Sequence, residues 1–464
     1  MKRFYRARLL LAAAGALFSA TAMAEEKSAP YRLITLDPGH FHAALVQKSS
    51  YANVDNRVSV YAPDSNDVDL HLKRIHGFNE RSDSPTAWKT QVYRGADFLQ
   101  KMLAEKPGNI VVLSGNNSKK TDYILQSLQA GLNVYADKPM ATNTRQFEQL
   151  KKSIALAREN NLALLDIMTE RFEISTLLQK ELSQIPEVFG ELAIGTPDEP
   201  AITKESVHHY FKYVAGKPLQ RPAWFFDDKQ EGDGLVDVTT HLVDLVQWEC
   251  FPNEIINYEK EIQVDSASRW PTKMSMQQFQ NVTGQKTLPD YLKNNVHKDT
   301  LHVYSNGEIN YRIRGVHAKV KVSWQYQAPE GAGDTHFSIM RGTQAQLIIR
   351  QGKEQNYKPE LYIEPVSDNA ESAGKALTKD TVLAALAGLN ERYPGLTLSD
   401  EPVGWKVNIP NKFRVGHEAH FAQVTKAYLS YLESGEIPNW EWPNILAKYY
   451  VTTKALDIAI TETR

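Results

Sequence analysis

The stretch Asn133-Val-Tyr-Ala-Asp-Lys-Pro-Met-Ala141 is the most informative part of this chain. It begins as a short β-prone run and ends in an acid-Lys-Pro step. Just upstream, residues 121–130 have a helical pattern, and Gly131, a residue type that commonly follows a helix, closes it. This order of elements places Lys138 at the C-terminal end of a predicted strand.

The sequence around this stretch alternates between strand and helix. Nearly continuous apolar runs separated by helical segments are typical of a parallel sheet that is covered on both faces. We therefore predict a doubly wound Rossmann domain of α/β class over residues 31–167. The predicted strands are residues 32–36, 57–61, 109–114, 133–136 and 162–166, and the longest predicted helix is residues 145–160.

The pattern changes after residue 167. Several later runs alternate polar and apolar residues, which is typical of antiparallel strands with one solvated face. We therefore predict that residues 168–464 form an α+β domain with an open, mostly antiparallel sheet. Its predicted strands are residues 191–195, 301–304, 318–324, 346–350 and 357–363; its predicted helices are 381–389, 417–434 and 440–463; and 367–379 is a predicted loop.

The first residues have the pattern of a secretory signal peptide. Basic residues precede an apolar run over residues 9–18, and Ala22-Met-Ala24 provides a small-x-small cleavage site. We expect cleavage after residue 24 and a periplasmic or secreted protein, with no membrane insertion afterwards. Removing four positive charges takes the formal net charge from −2 to −6, which gives no electrostatic case for binding nucleic acid. Cys250 is the only cysteine, so no internal disulfide can form.

The first βα turn, Asp37-Pro-Gly-His-Phe-His42, stands where a dinucleotide fold places its phosphate loop. Only Gly39 matches the usual G-x-G-x-x-G pattern, because Asp37 and His42 replace the outer glycines. We expect Gly39, His40 and Phe41 to contact a dinucleotide. Asp64 follows the second predicted strand and could hold the adenosine ribose, which would favour NAD over NADP.

A second informative segment is Gly234-Leu-Val-Asp-Val-Thr-Thr-His241-Leu-Val-Asp244. Asp237 and His241 are four residues apart, so on a helix both side chains would reach one cavity. Histidine titrates near neutrality and therefore suits proton transfer. We predict that His241 is a general base and that Asp237 is its partner or a ligand for a substrate hydroxyl.

Together, and in this order, the two segments resemble the glucose-fructose oxidoreductase/inositol dehydrogenase/MocA family. The resemblance is strongest over residues 109–141 and 232–244, where Asn117 matches a family asparagine and Asp137-Lys-Pro139 replaces the usual Glu-Lys-Pro. It implies that Asp137, Lys138 and Pro139 lie at a bound NAD or NADP, and that Lys138 also contacts the substrate oxygen.

The resemblance further implies an oxidoreductase that acts on a sugar or glycoside. It implies that residues 168–464 bind the substrate and support a homo-oligomer. Two residues, His209 and Trp224, lie where family members place substrate-facing side chains. An exported enzyme cannot rely on free NAD(H), so we expect the cofactor to be retained through each catalytic cycle.

Two other protein classes remain open. His40-Phe-His42 after an apolar strand is also the first metal-ligand pattern of barrel-type metal-dependent hydrolases, in which Lys138 would be a bridging ligand. The incomplete glycine loop fits a third class, a carbohydrate-binding protein that keeps the fold without the cofactor.

Overall fold

The computed structural model describes residues 29–214, 217–366 and 377–462. The predicted signal peptide, residues 1–24, and most of the predicted loop 367–379 lie outside the described residues. None of the helices in the described parts of the chain combines the length and apolar character needed to cross a bilayer.

The first unit is a six-stranded parallel sheet with the strand order β3-β2-β1-β4-β5-β6. This confirms the prediction of a Rossmann domain with a doubly wound sheet. In chain order the unit contains β1 (Leu33–Leu36), α1 (His42–Val46), β2 (Arg57–Ala62), α2 (Asn66–Glu80), β3 (Lys89–Arg94), α3 (Phe98–Glu105), β4 (Ile110–Leu113), α4 (Lys120–Gln129), β5 (Asn133–Ala136), α5 (Thr144–Glu159) and β6 (Leu164–Asp166).

The second unit is a mixed, mostly antiparallel sheet with the order β10-β12-β13-β7-β14-β15-β16-β18-β17, and β11 pairs with β12. Within the described residues, β7 and β13 form the one parallel pair of this sheet. The strands of this sheet are β7 (Ile202–Phe211), β10 (Ile262–Ser275), β11 (Val296–His297), β12 (Thr300–Ile313), β13 (Val316–Gln327), β14 (Thr335–Arg341), β15 (Ala345–Arg350), β16 (Glu360–Pro365), β17 (Thr397–Asp400) and β18 (Trp405–Asn408). A separate two-stranded sheet is formed by β8 (Tyr213–Val214) and β9 (Lys217–Pro218).

The helices that follow β6 cover this sheet and connect it to the first. They are α6 (Ile174–Ser183), α7 (Pro186–Phe189), α8 (Thr239–Cys250), α9 (Tyr258–Glu261), α10 (Met276–Thr283), α11 (Lys379–Leu389), α12 (His417–Ser434) and α13 (Glu441–Glu462). Short 3₁₀ helices span Thr169–Phe172, Ala223–Phe226, Asp290–Asn295, Lys353–Gln355 and Asn411–Phe413.

One predicted strand is wrong. Residues 191–195 form only isolated bridges, from Leu192 to Gly342 and from Gly195 to Pro200. Their main-chain groups bond singly to Arg341, Thr343 and His317 and do not follow one continuous neighbouring strand. The prediction also missed β3, whose polar residues lie largely exposed at the edge of the first sheet.

The two C-terminal helices return to the first unit. From α12, Phe421 and Tyr428 pack into the core that lies around the parallel sheet. From α13, Tyr449 donates its hydroxyl to Asp166 at the end of β6 and accepts the Met140 amide, both at 2.9 Å. Helix α13 therefore contributes residues both to the core around the first sheet and to the core of the second unit.

A buried ionic network ties α8 to this junction. The Arg171 guanidinium makes two 2.7 Å hydrogen bonds to the Asp244 carboxylate and one of 2.9 Å to Glu441. The Lys448 ammonium lies 2.9 Å from Asp244 and 2.8 Å from Asp166. Asp244 lies three residues after His241, so the network fixes the helix that carries His241.

Lys448→Met should destabilise the protein strongly. Loss of the ammonium leaves the Asp244 and Asp166 carboxylates buried with less compensating charge, and breaking a buried ion pair in this way costs about 3–5 kcal/mol. Lys454→Met, at an exposed position of the same helix, is the matched control. Urea denaturation measures both free energies of unfolding, and equal values for the two variants would contradict this role.

His71 in α2 is buried, and neither of its ring nitrogens has a hydrogen-bond partner among the described residues. Burial lowers the pKa of His71 to about 3. In the unfolded chain the pKa is about 6.5, so between these values the unfolded state binds a proton that the folded state does not. The contribution of His71 to stability is therefore present above about pH 6.5 and is lost as the pH falls towards 3.

His71→Leu should reduce the acid sensitivity of the fold. The wild-type free energy of unfolding falls as the pH drops from 6 to 4, and in the variant this fall should be less steep by about 1 kcal/mol per pH unit. That difference is close to the maximum slope that one additional bound proton in the unfolded state can produce. His76→Leu, on the same helix but with a side chain that is 69% exposed, is the control. Urea denaturation at several pH values tests this, and parallel profiles for both variants would refute it.

Candidate active site

A cavity of about 1610 Å³ lies between the ends of the first sheet and the second sheet. Residues from both units and from α12 line it. They include His40, Phe41, His42, Lys138, His208, His209, Arg221, Glu231, Asp237, His241, Asp334, His417 and His420. The structure thus brings together the three predicted catalytic residues, Lys138, Asp237 and His241, which lie in separate parts of the sequence.

Lys138 follows β5 and donates a hydrogen bond to Asp237. Both side chains are nearly buried. Burial alone would lower the pKa of Lys138, but the nearby acidic groups, first Asp237 and then Asp137, together outweigh burial and raise the pKa above its ordinary value. Lys138 is therefore a fixed positive charge at the cavity wall.

Asp237 lies in the turn before α8, not on the helix as the spacing to His241 predicted. Its amide donates to Asp233 at 2.9 Å, and the first helical residue is Thr239. The turn before Asp237 packs closely against β12, so that any side chain at Gly234 would collide with the main chain of Ser305. Asp237 and His241 nevertheless line the same cavity.

His241 lies in the first turn of α8 and is 9% exposed. Its Nδ1 has no hydrogen-bond partner within the described residues. Burial and then the Lys138 charge hold the pKa of His241 well below its usual range, so the ring is neutral. It can accept a proton, and it returns that proton readily.

Asp137, one residue before Lys138, is a buried anion. Its Oδ2 accepts hydrogen bonds from Ser114 at 2.9 Å and from His42 Nδ1 at 3.0 Å, and His40 Nδ1 lies 3.3 Å away. Burial would raise the pKa of this carboxyl, but the imidazoles of His42 and His40 outweigh it and hold the pKa well below its usual range. Burial lowers the pKa of His40 to about 4 and that of His42 to about 3, so both rings are neutral.

Glu231 is a cavity residue that the sequence did not indicate. Burial and then the Asp237 charge raise the pKa of Glu231 to about 8, so it is a neutral acid near pH 7. Its carboxyl accepts a 3.2 Å hydrogen bond from Asn117. A protonated carboxyl near a fixed ammonium is a group that can donate a proton.

The Ser114 carbonyl and the Trp224 ring occupy the first βα turn. The amides of Gly39 and His40 both donate to the Ser114 carbonyl at 3.1 Å. The Trp224 indole lies against Gly39, so closely that a Cβ there would be 2.7 Å from it, and donates to Asp67 at 2.9 Å. Position 39 therefore has to be glycine, because the Trp224 ring leaves no space for a Cβ atom there.

Other predicted cofactor residues lie away from the cavity. Asp64 is exposed and pairs with Arg94. Asn117 is buried and donates to the Glu231 carbonyl, and Pro139 follows Lys138 through a cis peptide bond.

Of the two predicted substrate residues, the structure places one in the cavity. His209 lines the cavity wall, where its Nδ1 lies 3.2 Å from Asp334. Trp224 packs on the first turn instead. The Asp334 carboxylate also accepts a 2.6 Å hydrogen bond from the Lys212 ammonium. Nothing in the sequence indicated Asp334, because only the pairing of β14 with β7 brings it near His209.

Comparisons with known proteins agree with this architecture. Residues 39–165 match the family described as "Oxidoreductase family, NAD-binding Rossmann fold", and residues 178–460 match the family described as "Putative oxidoreductase C terminal domain". No curated protein matches the chain.

Solved structures show the same fold. A candidate oxidoreductase from Parabacteroides merdae is 56% identical, with a TM-score of 0.90, over 94% of this chain and 98% of that one. A 3-ketoreductase from Actinomadura kijaniata, solved with NADP and TDP-benzene, is 13% identical, with a TM-score of 0.55, over 92% and 98%. The gentamicin A biosynthesis protein GenD2, solved with NAD, is 13% identical, with a TM-score of 0.56, over 94% and 95%.

The fold and site define a two-domain oxidoreductase whose first domain is an NAD-binding Rossmann fold. The chain belongs to the glucose-fructose oxidoreductase/inositol dehydrogenase/MocA family. The predicted family, fold class and cofactor class, NAD or NADP, are therefore confirmed.

The cavity has room for the nicotinamide of such a cofactor, whereas the first βα turn is obstructed where the pyrophosphate would bind. A Rossmann domain takes the pyrophosphate at the first turn and the rest of the dinucleotide along the C-terminal ends of its strands. The cavity beside Lys138 and His241 is open to a nicotinamide. At Gly39, the Trp224 indole lies where phosphate has to approach, so the dinucleotide fits the turn only when this ring moves away.

Trp224→Ala should therefore increase affinity for the dinucleotide. Burial of a large apolar side chain stabilises a protein by about 1.5–3 kcal/mol. In the variant, cofactor binding would no longer have to break the packing of Trp224 on Gly39, so the dissociation constant of the dinucleotide should fall about tenfold or more. Trp405→Ala, half-buried in β18 away from the cavity, is the control. Calorimetric titration with NAD⁺ and NADP⁺ measures the change, and unchanged or weaker binding would show that Trp224 does not obstruct the turn.

Proposed function

We propose that this protein is an exported NAD(P)-dependent oxidoreductase that transfers hydride at a ring hydroxyl or carbonyl of a sugar or sugar derivative. The observation that carries the proposal is the joint placement of Lys138, Asp237 and His241 on one cavity at the end of β5. A charged donor and a neutral imidazole around one space form the acid/base set that such a reaction needs.

The bound nicotinamide would supply the hydride acceptor or donor. The chain's own groups handle the proton and the charge on oxygen. The Lys138 ammonium, held by Asp237, would hydrogen-bond to the substrate oxygen and stabilise its developing negative charge. The neutral His241 ring would accept the hydroxyl proton in oxidation and return it in reduction.

The size and polarity of the cavity support a sugar-like substrate. Histidine, arginine and carboxyl side chains line about 1610 Å³, which exceeds the upper end of the usual 300–1,000 Å³ range for ligand pockets. That space accommodates a glycoside or another substituted sugar beside a nicotinamide. The 3-ketoreductase of the same fold is consistent with chemistry at a carbonyl.

The signal-peptide pattern of residues 1–24 supports export to the periplasm or medium. Because free NAD(H) is not dependable there, we propose that the cofactor is retained and regenerated within each cycle. A homo-oligomer, formed through the second domain, is part of the same proposal.

Lys138→Met should abolish turnover and leave the fold intact. The change keeps the length of the side chain and removes its charge, so a loss of at least about 100-fold in kcat is expected for a group that stabilises charge in the transition state. The assay follows the 340 nm absorbance of the bound nicotinamide in single-turnover mixing, and substrate consumption in the steady state, with a panel of sugars and glycosides. Lys212→Met, at the far wall beside Asp334, is the comparison, and near wild-type turnover in Lys138→Met would refute the assignment.

One observation favours a second candidate, a carbohydrate-binding protein of the same fold. Trp224 covers the first turn and Asp67 places a carboxylate beside it, an arrangement that repels phosphate. Protein purified from the periplasm separates the two candidates. A nicotinamide nucleotide extracted near one per chain supports the oxidoreductase, whereas sugar binding with no nucleotide, retained or added, supports the binding protein.

A further inference from the structure

Two histidines and one aspartate converge on the inner wall of the cavity. Their ligand atoms, one from each of His40, His42 and Asp137, all lie within 4.8 Å of one another. We refer to these three residues as the His-His-Asp cluster. His40 and His42 also line the cavity, so the cluster is reached from it.

We propose that the His-His-Asp cluster binds a divalent transition-metal ion. Two imidazole nitrogens and one carboxylate oxygen are a ligand set that suits Zn²⁺, Fe²⁺, Mn²⁺ or Co²⁺, whereas Ca²⁺ and Mg²⁺ prefer oxygen ligands alone. The proposal concerns metal binding and stands apart from the proposed redox activity.

The interatomic distances match those around a shared ion. Ligand atoms at about 2.1 Å from one metal lie about 3.0 Å apart at right angles and about 3.4 Å apart at a tetrahedral angle. In the structure, Asp137 Oδ2 lies 3.0 Å from His42 Nδ1 and 3.3 Å from His40 Nδ1. Both distances from Asp137 fall in that interval, and the ligand atoms of His40 and His42 lie within 4.8 Å of each other.

Hydrogen bonds within the His-His-Asp cluster leave one imidazole nitrogen without a partner among the described residues. One carboxylate oxygen, Asp137 Oδ2, is approached by Ser114 Oγ, His42 Nδ1 and His40 Nδ1. The His40 contact lacks hydrogen-bond geometry, and its Nδ1 is a buried atom with no partner within the described residues. A metal ion would satisfy this nitrogen, and the Ser114 bond would orient the carboxylate as outer-shell partners do.

The distribution of charge also leaves room for a cation. Lys120 donates to the main-chain oxygen of Asp137 at 2.8 Å, and Lys138 donates to Asp237, so neither ammonium is bonded to the Asp137 carboxylate. Asp137 Oδ2 therefore faces one hydroxyl and two imidazole groups. A divalent ion there would compensate a buried negative charge and lie at the same wall as Lys138.

The test uses the mature, untagged protein after treatment with a chelator. Zn²⁺ titrated by calorimetry gives stoichiometry and affinity, and Co²⁺ titrated by visible absorption reports coordination directly. We expect one ion per chain, with affinity reduced by at least about 100-fold in His42→Ala, more than removal of an outer-shell partner typically costs. Far-ultraviolet circular dichroism checks folding, and Asp137→Asn serves as a second variant if His42→Ala does not fold.

The matched control is the double variant His297→Ala/His302→Ala. These two rings lie 4.8 Å apart outside the cavity and could bind an added metal adventitiously. Unchanged binding in this variant, with loss in a cluster variant, supports the proposal. Absence of stoichiometric binding, or binding lost in the control and kept in the cluster variants, overturns it. Neither readout depends on nucleotide or turnover, so failure of the redox proposal would be seen separately.

Discussion

The buried carboxylate of Asp137 is the constraint on which the candidate site depends. It lies at the end of β5, where the hydroxyl of Ser114 and the rings of His40 and His42 surround it. An ionised group in such a position is stable only when donors or cations satisfy it. This requirement fixes the first βα turn against the end of β4 and sets the position of Lys138, the next residue.

The second unit completes the site because it is held rigidly on the first. Helices α12 and α13 pack into the core of the parallel sheet, and the ionic network of Arg171, Asp244 and Lys448 anchors α8 at the junction. His241 and Asp237 are therefore presented to Lys138 by a packed interface. Small shifts at such a junction would misplace the acid/base set, which explains why so many charges are buried there.

Much of the fold could be predicted from the sequence because the central strands are fully buried. The runs that became β1, β2, β4, β5 and β6 are almost wholly apolar. The polar edge strand β3 and the long strands β7 and β10 lack that signal, because many of their side chains are exposed or only partly buried. Helices α12 and α13 were predicted almost to the residue from their amphipathic pattern.

The site was predictable only in part, for a related reason. A motif at a strand end or in a helix locates Lys138 and His241, but the partners of a buried charge come from the tertiary fold. Asp334 and Glu231 have no local pattern that distinguishes them from surface acids. Trp224 was predicted to face the substrate, yet it covers Gly39, a contact between residues 185 positions apart that no spacing rule suggests.

The most direct test of this account is a crystal structure of the protein with NAD⁺ or NADP⁺. The account predicts a nicotinamide ring in the cavity, next to Lys138 and His241, with the Trp224 ring moved away from Gly39. A dinucleotide bound elsewhere, or none bound with Trp224 still packed on Gly39, would contradict it.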